Sequence, residues 1–121
     1  MSPDNRRIGT RGEAVALQYL LDNGYELLCC NYRAQRCEID LIVLDIAENA
    51  IVFVEVKTRS DQRMYPGKEA VGTSKQQHII TAATHYAYTH ECIDARMRFD
   101  VIEVDRGNGY TINHIKNAFT L

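Results

Sequence analysis

The sequence predicts a mixed α/β domain in which helices pack on a central sheet, in the order α-β-β-β-α-β-β. Three observations carry this. Two segments repeat their apolar residues at helical spacing, three β-rich runs lie between them, and two more follow the second helix. The joints between neighbouring strands are short and polar, as in hairpins. Helices alternating with such strands must cover the sheet to bury their apolar stripes.

Thr10-Arg11-Gly12-Glu13 matches the S/T-x-x-E capping box, and Ala16, Leu17 and Leu20 follow at helical spacing, so a first helix is expected over about 11–22. Asn23-Gly24 supplies its stop. Strands follow at Glu26 to Arg33, Glu38 to Asp45 and Ile51 to Lys57. The last, IVFVEVK, is nearly continuous in apolar residues, as expected of a strand buried on both faces. The polar stretch Asp45 to Ala50 predicts an antiparallel hairpin.

Residues 58–74 carry Pro66-Gly67 and little periodicity, and are expected to be a loop. Thr73 or Ser74 then caps a second helix with the stripe Ile79, Ala82, Ala83, Tyr86 and His90. Strands at 97–104 and 110–115 form a final hairpin around Arg106-Gly107-Asn108-Gly109.

At 121 residues the chain suits one domain, 11–121, behind a loose segment 1–10. No apolar run approaches the ~20 residues of a membrane span, and the first residues lack a signal peptide's apolar core, so a cytoplasmic protein is expected. Cys29, Cys30, Cys37 and Cys92 form no CxxC pair and read as free thiols rather than a zinc site or disulfide framework.

Fourteen Lys+Arg against sixteen Asp+Glu give a net charge of −2, which excludes a strongly basic coat protein but not a local basic face. Residues 1–75 hold ten basic and eleven acidic residues. Setting Glu13, Glu38, Asp40 and Glu55 aside in one cluster leaves ten cations against seven anions.

That clustering follows from strand periodicity. Glu55 and Lys57 share one face of a core strand, beyond apolar Ile51 and Phe53. Glu38 and Asp40 share a face of the preceding strand, with Ile42 and Leu44 continuing it. An antiparallel hairpin puts Asp40 beside Glu55. Glu13, on the stripe of the first helix and at its N-terminus, could reach the same rim. Carboxylates ~4 Å apart repel by about 4 kcal/mol at an effective dielectric near 20, so one is protonated or a cation sits among them. Hard oxygen ligands suit Mg2+ or Mn2+, which polarises a phosphoryl oxygen, and Lys57 can orient water or offset charge.

Asp40, a spacer of fourteen residues, and then Glu55-x-Lys57 resemble the PD-(D/E)XK nuclease motif. Glu13 on a preceding helix is similar to the extra acid of the Holliday-junction-resolvase branch. GEAVALQYL, NYR, EIDLIV, VFVEVKTR, Lys75, RFDVI and the C-terminal AF together resemble the YraN-like family of uncharacterised bacterial proteins, from about Gly12 to Phe119. The resemblance implies a restriction-endonuclease-like mixed central sheet flanked by helices, and a metal-dependent endonuclease acting on branched or structured DNA. It implies Asp40 and Glu55 as main metal ligands, the Val56 carbonyl as a backbone ligand, Lys57 as catalytic lysine, and Glu13 as a catalytic acid binding metal directly or through water. Ile39 stands at the motif's nominal Pro, and Cys37 where the family usually has Gly. Two-fold symmetric junctions are often cut by homodimers of such enzymes.

Plainer readings stand beside these. Glu13 also serves as a capping-box residue, and Glu55-Lys57 as a strand-end ion pair worth under ~1 kcal/mol. Glu38 is expected to support Asp40 rather than bind metal. Lys75, one turn before Ile79, opposes the helix dipole and so invites an anion, or simply snorkels. Arg6, Arg7, Arg11, Arg33, Arg36, Arg59, Arg63 and Lys68 are either a phosphate-tracking groove or solvated charges. The four histidines show no metal spacing, and Asp100 reads as a structural hydrogen-bonding residue. The alternative to an enzyme is a non-catalytic nucleic-acid- or protein-binding module on the same fold.

Overall fold

The computed structural model describes residues 10–59, 71–107 and 109–120. Helix α1 (Arg11–Asp22) is followed by strands β1 (Tyr25–Ala34), β2 (Cys37–Asp45) and β3 (Ala50–Arg59), helix α2 (Thr73–Thr89), and strands β4 (Arg96–Asp105) and β5 (Thr111–Phe119). The order α-β-β-β-α-β-β is therefore observed. The strands form one sheet in the order β1-β2-β3-β4-β5. The β3–β4 pair is parallel and the other three are antiparallel. A parallel pair needs a crossover, and α2 supplies it.

Each face of the sheet carries its own core. Ile51, Phe53, Phe99 and Val101 pack with Ile79, Ala82, Ala83 and Tyr86 of α2. Val52, Val54, Ile102 and Val104 pack with Ala16 and Leu20 of α1. Residues 50–55 of β3 are all buried, as its continuous apolar pattern requires.

Thr10 caps α1, its Oγ1 accepting from Glu13 N at 3.0 Å. Asn23 and Gly24, with φ +89° at the glycine, end the helix. A Cβ on Gly12 would collide with Thr58 Oγ1, so this glycine lets the first turn of α1 seat against the end of β3.

Several boundaries differ from expectation. Thr58 and Arg59 belong to β3 rather than the following loop, because they pair with Val104 and Asp105 of the longer β4. The N-cap of α2 is Gly72, without a side-chain cap, and Thr73 and Ser74 lie inside the helix. His90 is the exposed C-cap rather than part of the buried stripe, although its ring stacks on Tyr86 at 3.9 Å. Strand β5 continues past 115 through Lys116-Asn117. Asn117 takes φ +54° near a register shift in the β4–β5 ladder, which carries Ala118 and Phe119 back into the core.

The expected alternation along β2 also breaks. Ile39 and Ile42 lie in the α2-side core, whereas Leu41 and Val43 lie in the α1-side core. The two faces exchange at Asp40, beside the stretch of β1 where Asn31 takes φ +51°. Glu38, Asp40, Ile42 and Leu44 therefore do not share one simple face. Segment 1–9, and with it Arg6 and Arg7, lies outside the described residues, as do Arg63, Lys68 and Asn108.

Candidate active site at the end of strand β3

The β2–β3 register runs Asp45↔Ala50 to Leu41↔Val54 and, extended by one residue, sets Asp40 opposite Glu55. The ladder pairs end at Leu41↔Val54, and there the Asp40 side chain takes over. Its Oδ2 accepts from Val56 N at 2.8 Å, satisfying a donor that β2 no longer reaches.

Glu55 is 5% exposed. Its Oε2 lies 3.4 Å from Lys57 Nζ and 3.7 Å from Lys75 Nζ, longer than well-formed charged hydrogen bonds. Its Oε1 is buried and has no hydrogen-bond partner. The Asp40 and Glu55 carboxyls stand close enough that each bears on the other's protonation, so two full negative charges there repel unless a proton or a cation offsets them. Burial, followed by the negative charge of Asp40, raises Glu55 to a pKa of about 7, with Lys75 and Lys57 only partly opposing. Burial also raises Asp40, despite the Val56 N–H. Near neutral pH the pair holds a proton that isolated carboxylates would have lost.

The other expected residues are distributed around this pair. Glu13 is buried in the first turn of α1, next in sequence to Gly12, which seats against Thr58. Asp40, Glu55 and Glu13 are not gathered into a metal-sized set: among the described residues no three His, Cys, Asp or Glu side chains form one. Glu38 is half-buried and pairs with exposed Arg33 at 3.0 Å rather than with Asp40. Lys75 reaches Glu55 from the first turn of α2. Arg11 and Arg36 are exposed, and Arg59 is half-buried at the end of β3, its carbonyl accepting from Arg106 N.

The sequence did not single out Arg98 or Glu103. Arg98 is buried on the α1 side and uses all five donors. Nε and Nη2 hold both oxygens of Asp100, Nη1 reaches Asp45 and Glu48, and Nη2 reaches the Tyr25 hydroxyl. Asp100, read as structural, is fully buried and also accepts from His114 Nε2 at 2.7 Å and from Asn117 N. Glu103 is fully buried in the β4 position paired with Lys57, and accepts from Asn113 Nδ2 at 2.8 Å. Alternating charges within an apolar strand (Arg98, Asp100) were the available signal for the first. Nothing local marked the second.

A model of the uncharacterised protein family UPF0102 matches residues 12–104. The chain belongs to that family. It is the YraN-like family whose motifs the sequence resembles. A UPF0102 protein of Alkaliphilus oremlandii is 44% identical over 118 residues, covering 95% of this chain and 99% of its own. One from Pelobacter propionicus is 40% identical over 121 residues, covering 98% and 86% respectively. A third, from Caldanaerobacter subterraneus, is 40% identical over 120 residues, covering 96% and 97%. These UPF0102 relatives match nearly full length. Among the described residues of this member, no helix is long and apolar enough to cross a membrane.

Proposed function

We propose that this UPF0102 protein is a metal-dependent endonuclease that hydrolyses phosphodiester bonds in branched or structured DNA, with Mg2+ or Mn2+ held by Asp40 and Glu55. The observation that carries the reading is the buried, unpartnered Glu55 Oε1 beside a second carboxyl. An anionic oxygen removed from water without a donor is costly, and a dication relieves both that cost and the repulsion between the acids. The donors are hard oxygens, and Mg2+ is commonly bound through only one or two carboxylates with water completing the shell. The two carboxyls therefore suit the ion, with the Val56 carbonyl as a further oxygen.

A bound dication supplies polarisation of a phosphoryl oxygen and a more acidic water. The protein's own residues do the rest. The Val56 N–H fixes the Asp40 carboxylate, so one ligand is oriented in advance. Lys57, kept near Glu55, places positive charge where the phosphoryl oxygens gain negative charge. Lys75 leaves Glu55 for a phosphate when the acids are otherwise neutralised.

The test combines calorimetry with cleavage. Mn2+ should bind the wild type, and Asp40→Asn and Glu55→Gln should lose both binding and cleavage of branched DNA at least 100-fold. Variants that cut as well as the wild type would remove the assignment. A second reading is favoured by one observation: Lys57 and Lys75 already give Glu55 two cationic neighbours. On that reading the fold is a non-catalytic nucleic-acid- or protein-binding module. Absence of any heat with Mn2+, together with DNA binding that weakens steeply with salt, would select it.

A further inference from the structure

Beside the acid pair lies a pocket of about 290 Å3 lined by Arg33, Arg36, Cys37, Glu38, Lys75 and His78. Three of these side chains are cations, against one carboxylate. Lys75 belongs both to this pocket and to the Glu55 ion pair, so the two sites share a wall. The outer wall is the β1–β2 turn, where Gln35 (φ +52°) and Arg36 (φ +67°) are both left-handed. Two such residues, neither of them glycine, are strained there, and Asn-Gly is what such turns usually carry. Here the turn instead presents a long cation to the pocket. Cys37 has no positive φ, and its Sγ donates to the Gln35 carbonyl at 3.5 Å, placing a compact neutral group in the lining. Glu38 holds Arg33 Nε at 3.0 Å and so occupies one of the cations.

We propose that this pocket seats a phosphate group of the bound nucleic acid, next to the phosphate at the acid pair, and that Glu38 limits its affinity by holding Arg33. The proposal rests on the nuclease reading for its biological meaning, but not for its binding chemistry. The ligand is a phosphate, either an internal diester or a terminal monoester. Forked guanidinium groups and an ammonium are the usual partners of both.

The experiment has two arms. First, inorganic phosphate is titrated into metal-free protein at constant ionic strength, observing the His78 and arginine side-chain resonances. Arg36→Ala should weaken binding at least fivefold. Glu38→Gln, which frees Arg33, should tighten it at least threefold, a gain that loss of structure cannot mimic. Unchanged affinity in both variants, or resonance shifts confined to residues outside the pocket, would overturn the proposal. Second, cleavage is compared on DNA ending in a phosphate or a hydroxyl. A KM advantage for the phosphorylated end that disappears in Arg36→Ala identifies a terminal monoester. An equal KM rise on both substrates, with kcat kept, identifies an internal diester. Arg36→Ala that leaves KM unchanged on both overturns the pocket while the nuclease reading stands. No cleavage of any DNA, with phosphate binding still lost in Arg36→Ala, leaves the pocket standing and removes the nuclease reading.

Discussion

The two faces of the sheet treat buried charge in opposite ways. On the α1 side, Arg98 meets Asp100, Asp45, Glu48 and Tyr25 with every donor used. Burial alone would raise Asp100, but hydrogen bonds from His114 and Arg98 more than offset it and hold the carboxyl below its ordinary range. On the α2 side, Glu55 keeps one oxygen unpartnered, two lysines stand at 3.4 and 3.7 Å, and both acids are raised. Both clusters are buried on the same scaffold, so burial is not what separates them. The difference is completion. A satisfied network holds strands in place, whereas an incomplete one leaves room for something the chain does not itself supply.

The largest expected effect comes from breaking the complete side. Arg98→Ala strands two buried carboxylates and should cost about 3–5 kcal/mol, lowering the melting temperature by at least about 10 °C. Urea denaturation measures it, and a loss under 1 kcal/mol would mean the network contributes little. The incomplete side should respond with the opposite sign. Glu55→Gln removes a carboxylate that the fold disfavours, so metal-free protein at pH 8 should gain roughly 1–3 kcal/mol. Mn2+ should raise the melting temperature of the wild type and leave that of the variant unchanged. Destabilisation at pH 8 would show that the two lysines already satisfy Glu55.

The pH dependence sharpens the contrast. Glu55 moves from 4.5 to about 7 on folding, so between those values the native chain holds more protons than the unfolded one. Its contribution to stability therefore falls as pH rises through that window and stays lost above it. Asp100 has the reverse sign: its folded pKa is lowered, so its contribution is present above the ordinary value of 3.8 and disappears as pH falls through the lowered one. Metal-free wild type should thus be more stable at pH 5 than at pH 8, and saturating Mn2+ should flatten that slope. Thermal melts across the range, with Glu55→Gln as the flat control, test it.

Much of this was legible in the sequence because it is local. The capping box at Thr10, the continuous apolar run of β3 and the short turn before it set the elements, and the turn implied the register that brings Asp40 to Glu55. What escaped depends on contacts distant in the chain. The face exchange at Asp40 arises where β1 and β2 change sides together, and no period in β2 alone records it. Arg98 and Asp100 sit two apart on one strand, yet their meaning depends on Tyr25 and Asp45, 73 and 53 residues away. Gly72 serves as the cap of α2 because the chain enters the helix there in extended conformation, while Thr73 and Ser74 looked equally able from composition.

The smallest expected effect joins stability to the pocket. The β1–β2 turn places Gln35 and Arg36 in the left-handed region, where Asn-Gly sits without comparable strain. Replacing the pair by Asn-Gly should stabilise the chain by about 1 kcal/mol. If the strain is kept because Arg36 holds a phosphate, the same double variant should weaken phosphate binding at least fivefold while melting at a higher temperature. A stabilised variant with undiminished affinity would leave the turn's strain without that purpose. Destabilisation would show instead that the Gln35 and Arg36 side chains contribute packing that outweighs their backbone cost. Opposite signs of stability and affinity from one two-residue change are what a site selected for binding, rather than for folding, should give.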